Sequence, residues 1–418
     1  MTADPLHHHL RRMTGRDPHE RGRVANTLEL LFDLVFVISF AQAANGLAAQ
    51  IHHDNTAGGL IGFGFAMFAA IWAWINYTWF SSAFDTDDWL FRSTTVLQMV
   101  GVVVLAISIP ALFASLEEDP TGATLDNTGI VLGYVIMRVA MLIQWLRVAV
   151  QSTEHRPTAL RYATALALAQ IGWVTLAFID TTPLAMLVGS IVLYIVELSG
   201  PVIAERRGRT PWHAHHISER YGLLIIIALG ESVVGTEVAV STVLETAGWT
   251  LDLGVLALAG LSIAFSLWWL WFLLPAGEAL HARPSLAFPW GYGHIAIFAA
   301  IAAIGAGLHV GAYAIEDPEH VDTVGALLAV AVPLMIALVG FEVMRAILIG
   351  WAHARAEIGA MLVSVALIVS AVVLGGLGAP LVVSLVIIAL APIVQILSDE
   401  IWGHRARARA LAHLGAST

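Results

Sequence analysis

The chain has 418 residues, of which 58% are hydrophobic and only 12% charged, about half the charged share of a soluble domain. So little charge cannot coat a water-facing surface, and a formal charge of −11 argues against a nucleic-acid partner. Cysteine is absent, which excludes disulfides, thiol nucleophiles and thiolate metal sites.

Residues 1–25 form a polar, Arg-bearing tail that includes His7, His8 and His9. The first apolar run is long and has no small-residue cleavage site, so it reads as a membrane helix and not as a secretory signal. Apolar stretches fall at 26–48, 58–79, 91–113, 127–148, 160–179 and 182–203, then at 218–241, 251–274, 290–314, 321–343, 358–378 and 380–399. Each can cross a bilayer, which takes ~20 residues as a helix, the element that satisfies its own backbone in hydrocarbon. The run Gly375-Gly376-Leu377-Gly378-Ala379-Pro380 is expected to be a tight turn, because 358–399 is about twice a crossing. The fold class is therefore all-α, a polytopic membrane protein of about twelve transmembrane helices. Its expected parts are the tail 1–25, a first six-helix half 26–203, a linker 204–217, a second half 218–399 and a C-terminal tail 400–418.

The basic residues test that count. Lys is absent, and every Arg except Arg138 falls on one side if the N-terminus is inside: the tail from Arg11 to Arg23, connections such as Arg92, Arg156, Arg206 and Arg283, and the C-terminal Arg405, Arg407 and Arg409. The opposite connections carry acids, among them Asp54, Glu117, Glu118, Glu316 and Glu319. This positive-inside pattern places both termini in the cytoplasm of a cell carrying the protein in its inner membrane. The halves also echo one another: WAWINYTWF (72–80) against LWWLWFLL (267–274), and QWLR (144–147) against EVMR (342–345). Parallel repeats would put a site between the halves; the alternative is that Trp and Arg gather at any membrane interface.

Ionisable residues in hydrocarbon face a cavity or each other. Glu29 and Asp33 lie one turn apart on one face of the first helix. Arg138 is mid-span in the fourth, Glu197 in the sixth, Glu231 deep in the seventh and His294 on the ninth, with Asn76 and Gln144 at similar depth. These residues are the candidate substrate or ion site, read as a polar layer. Arg138 with Glu231 is the expected ion pair, functional or structural. Two acids on one face cannot neutralise each other, so Glu29 and Asp33 call for a shared proton or a bound cation. His213, His215 and His216 have metal-like spacing, but without an acid or Cys in register they read as a solvated loop and no metal site is expected. Asp85, Asp87 and Asp88 with Arg92 read as an interfacial salt-bridge network.

ELLFDLVFV (29–37), WAWINYTWFSSAFDTDDWLFR (72–92), ERYGLLIIIALGESVVG (219–235) and GHIAIFAAIAAIGAGLH (293–309) resemble the bacterial low-temperature requirement A family, LtrA. The resemblance runs from about residue 20 to 400 and places Glu29, Asp33, Trp74, Asp85, Asp88, Arg92, Glu219, Arg220, Gly230 and Glu231 on family motif positions. It implies a multi-helix membrane protein named for a growth phenotype, with no settled biochemical activity.

The expected function is a secondary transporter or permease, with protons as coupling ions and an unidentified small-molecule or lipophilic ligand. One alternative is an intramembrane enzyme acting on a lipid, using His294, Glu231 and Asp33 as acid–base groups; the other is a non-catalytic membrane stress-adaptation protein. No GxxxxGK[ST] run, nucleophile elbow or HExxH motif is present. No cofactor is implied, the bilayer is the expected partner, and a homo-oligomer is compatible with the sequence.

Overall fold

The computed structural model describes residues 10–118, 125–179, 182–206, 208–317, 319–350 and 355–403. Among the described residues there is no strand, and twelve long helices take up the twelve apolar stretches. They are α1 (Thr27–His52), α2 (Thr56–Phe84), α3 (Trp89–Glu118), α4 (Thr128–Gln151), α5 (Arg156–Phe178), α6 (Pro183–Glu205), α7 (Ala214–Ala247) and α8 (Leu251–Phe272). After the short α9 (Ala276–Ala282) come α10 (Ala287–Glu316), α11 (Thr323–Ile349), α12 (Arg355–Gly376) and α13 (Leu381–Ser398). Eleven carry a stretch long and apolar enough to cross hydrocarbon. The exception is α5, whose first turns bear Arg156 and Arg161. Leu34, Ile107, Leu168 and Phe265 are each more than half exposed, as side chains facing lipid are and side chains facing water seldom are.

The sequence marks the ends of these helices. Asn26 and Glu29 form a reciprocal capping box at α1: Asn26 Oδ1 accepts from the Glu29 N–H and Glu29 Oε2 from the Asn26 N–H, both at 2.9 Å. Thr182, Thr250 and Asp322 cap α6, α8 and α11 in the ordinary side-chain-to-N3 manner. The Gly375–Pro380 run is a turn, as expected. Gly378 adopts φ +96°, and the Ala379 N–H reaches the Leu374 carbonyl while the Gly378 N–H reaches that of Gly375. This is a Schellman closure, with Pro380 barring any continuation.

The chain forms two compact units, Met1–Ser39 with Ala69–Ile217 and Phe40–Phe68 with Ser218–Thr418. In the first, α3 packs on α4, α4 on α5 and α5 on α6. The N-terminal segment is tied onto it: the Arg11 N–H donates to Asp88, the Met13 N–H to Gln151 Oε1 and the Arg16 N–H to the Ala83 carbonyl. In the second, α10 packs on α11, α11 on α12, and α13 on both α12 and α8. A Cβ added at Gly235 on α7 would stand 2.8 Å from the Gly305 carbonyl of α10, so only glycine permits that backbone approach.

One boundary differs from expectation. Helix α7 starts at Ala214, inside the segment expected to be linker, because His213 acts as its cap: the His216 N–H donates to His213 Nδ1 at 3.2 Å. His213 and His216 are buried while His215 is exposed, so the expected solvated histidine loop is corrected to a helix start that packs two of its three histidines.

Candidate functional site

Four helices of the first unit each send a polar group into one mid-span cluster. Glu197 of α6 accepts from Trp72 Nε1 of α2 at 2.8 Å, from the Tyr134 hydroxyl of α4 at 2.9 Å and from Gln170 Nε2 of α5 at 3.2 Å. Arg138, one turn from Tyr134 on α4, reaches Glu197 Oε2 at 3.3 Å and the Tyr134 hydroxyl at 2.5 Å through the same Nη2. Nε and Nη1 of Arg138 are buried and meet no acceptor among the described residues. The expected Arg138–Glu231 pair is thereby corrected: depth along a helix is readable from sequence, but which helices are neighbours is not. Asn76, expected in the same layer, donates to the Trp72 carbonyl of its own helix at 2.8 Å, a local tie. Gln144 bonds to Thr94 and the Phe91 carbonyl of α3.

Toward one end of the same unit lies the acid pair. Asp33 accepts from Trp74 Nε1 at 2.7 Å, and the Glu29 carboxylate of the capping box also lies 3.1 Å from His216 Nε2. Glu29, Asp33 and His216 are all buried. Asn26 Nδ2 donates to Asp85 at 2.9 Å and Arg16 lies 3.4 Å from the same carboxylate. Burial, then the nearby Glu29 charge, pushes Asp85 up to about 6 against the pull of Arg16. Asp88 caps α3 through the Phe91 N–H and is held by both arms of Arg147. Burial would raise it, but Arg147 and the N–H groups of Arg11 and Phe91 outweigh that and hold it at about 2. Among the described residues Arg92 pairs with Asp87, whose N–H donates to Asp85, so the expected Asp85–Asp88 network is spread over Arg16, Arg92 and Arg147.

In the second unit, His294 of α10 is locked in one neutral form. Its Nδ1 stands 2.7 Å from the Trp290 carbonyl, to which it can only donate, and its Nε2 accepts from Trp271 Nε1 at 3.2 Å. Beside it a cavity of about 10 Å³, room for about one water, is walled by Trp271, Trp290, His294, Met344 and Arg345 among others. Glu231 is buried on α7, with Oε2 reached by no donor among the described residues. Next to it Gly230 helps line an apolar groove of about 380 Å³ with Ile226, Leu229, Val233, Phe265 and Trp268. Arg220 is fully buried and Glu219 half-buried on the same helix. Among the described residues no three His, Asp or Glu side chains converge as a metal requires.

The motif positions on α1, α2 and α7 thus include buried polar groups in both units. A model of the bacterial low temperature requirement A protein family matches residues 24–392. The chain belongs to the LtrA family. An uncharacterised protein of Rhizobium meliloti (strain 1021) is 26% identical over 259 residues, covering 58% of this chain and 57% of that relative. The chain therefore aligns with little more than half of that relative's length. No solved structure matches.

Several residues of the LtrA chain escaped the sequence reading. Trp72, Tyr134 and Gln170 look like ordinary interfacial or lipid-facing side chains until α6 is known to lie within reach of α2, α4 and α5. His216 was visible only as one of three clustered histidines. Glu342, Glu357 and Asp399 sit near helix ends, where an acid attracts no notice.

Proposed function

We propose that this LtrA-family protein is a proton-coupled secondary transporter of the bacterial inner membrane, with both termini in the cytoplasm. The observation that carries this reading is the Arg138–Glu197 cluster, an ion pair held in mid-span by groups from four helices. Ionised Glu197 draws the guanidinium and three further donors onto itself. A proton on Glu197 would remove the charge that holds Arg138 and free it for an acidic or strongly accepting substrate group, for which Nε and Nη1 are already unengaged by described residues. Proton and substrate would then act on the same guanidinium, which is the coupling a secondary transporter needs. The one-sided Arg distribution supports the orientation.

The test is purified protein in liposomes loaded with a pH-reporting dye and exposed to fractions of a small-molecule extract. One fraction should drive proton movement in wild type and not in Glu197→Gln. Conversion of membrane lipid without proton movement would replace this reading with the enzymatic one.

A further inference from the structure

The second unit contains a buried charged group that this reading does not use. Glu342 and Arg345 lie one turn apart on α11, Glu357 is in the first turn of α12, and Asp399 opens a π-turn, Asp399–Gly403, that ends α13. None of the four is more than 4% exposed. Arg345 Nη1 donates to Asp399 at 2.5 Å, whereas its Nε stands 3.5 Å from Glu342 Oε1, outside good hydrogen-bond range. The guanidinium is therefore committed chiefly to Asp399. Oε2 of Glu342 and Oε2 of Glu357 are buried, and no donor among the described residues reaches either. The π-turn brings Gly403 up to two of the carboxylates: a Cβ there would lie 2.9 Å from Glu357 Oε1 and would strike Asp399. Such single π-turns recur at functional sites.

Charge decides what this group holds. Among the described residues, three ionised carboxylates would face one guanidinium, and Oε2 of Glu342 and of Glu357 meets no donor. Among the described residues none of these neighbours compensates them: His294 of α10 has both nitrogens engaged, Arg283 donates to the Leu348 carbonyl, and Glu400 accepts from Trp269. A buried carboxylate without a partner takes a proton sooner than it bears its charge. We propose that the group is a proton-binding site of the second unit, with the proton carried by Glu342. The water-sized cavity that Arg345 lines adjoins it. The site is separate from Glu197 and does not depend on the transport reading.

Infrared difference spectroscopy of the purified full chain reads it directly, because the C=O stretch of a protonated carboxyl is distinct from that of a carboxylate. At neutral pH the Glu231→Gln protein, which lacks the other carboxyl buried without a described donor, should show a carboxyl band that survives Glu197→Gln and is lost in Glu342→Gln. In the same background Glu357→Gln, which keeps Glu342 and removes a repelling charge, should make the band titrate away at lower pH; this arm decides if Glu342→Gln does not fold. A Glu231→Gln protein without the band, or a band indifferent to both Glu342→Gln and Glu357→Gln, overturns the proposal. So does loss of the band when sodium replaces choline in the buffer, since the site would then take a metal cation.

Discussion

The Arg138 guanidinium and the Glu197 carboxylate meet at 3.3 Å with side chains 0% and 3% exposed. Such a pair adds little stability over an apolar replacement, but removing one partner strands the other, at about 3–5 kcal/mol. Glu197→Gln and Arg138→Gln should each lower the unfolding midpoint in detergent by a large margin, and the double variant should regain much of the loss. A double variant no more stable than the worse single would show the two residues to be uncoupled. Glu231→Gln, by contrast, should behave additively with Arg138→Gln.

Asp88 and Asp85 give opposite acid responses. Asp88 is held at about 2, below its ordinary value of 3.8, so its stabilisation is complete above about pH 4 and is lost as pH falls toward 2. Asp85 is raised to about 6, so its charge opposes folding above that value and the strain is relieved as pH falls from 6 toward 4. Asp88→Asn should be less stable at neutral pH and should lose part of the wild-type decline at low pH. Asp85→Asn should be more stable than wild type near pH 8 and should flatten the profile between 6 and 4. Unfolding midpoints across pH check both, and identical profiles in all three proteins would mean that neither carboxylate is linked to folding.

How far the sequence could reach follows from what each feature depends on. Helix number, helix ends and the Gly378 turn depend on local chemistry: apolar length, the Asn26–Glu29 cap and a glycine before Pro380 are all visible in a string. The buried acids were visible too, because a charge inside an apolar run is conspicuous. Partnership was not. Arg138 could be placed in depth but not in azimuth, so Glu231 was as good a candidate as Glu197. The acids at 342, 357 and 399 are brought together by α11, α12 and the π-turn after α13, and no local pattern announces a meeting of three helix ends.

Orientation can be read with single cysteines, since the chain has none. With both termini in the cytoplasm, Glu118→Cys and Glu319→Cys should react with an impermeant maleimide in whole cells. Arg209→Cys and Ser285→Cys should react only after the membrane is opened. Equal labelling of positions 209 and 319 would refute the span order.

The acid pair of α1 offers the closest approach to mechanism. Asp33 accepts one hydrogen bond from Trp74, and an asparagine oxygen can accept the same bond, so Asp33→Asn removes charge while keeping that contact. Glu29 has a second duty in the capping box, which Gln also performs; Glu29→Ala would forfeit it, at about 1 kcal/mol. Glu29 also faces His216 at 3.1 Å. Asp33→Asn and Glu29→Gln should therefore both fold. Asp33→Asn should abolish the pH dependence of binding a co-purified ligand, and Glu29→Gln should have a milder effect, because Gln still serves the capping box. His216→Gln, which removes the imidazole facing Glu29, should weaken that binding without unfolding the chain. The measurement is ligand affinity across the neutral range for the wild type and the three variants, with circular dichroism to confirm the fold. Well-folded variants with the wild-type pH profile would reduce Glu29, Asp33 and His216 to what their hydrogen bonds already make them, the clamp that starts α1 and ties it to α2.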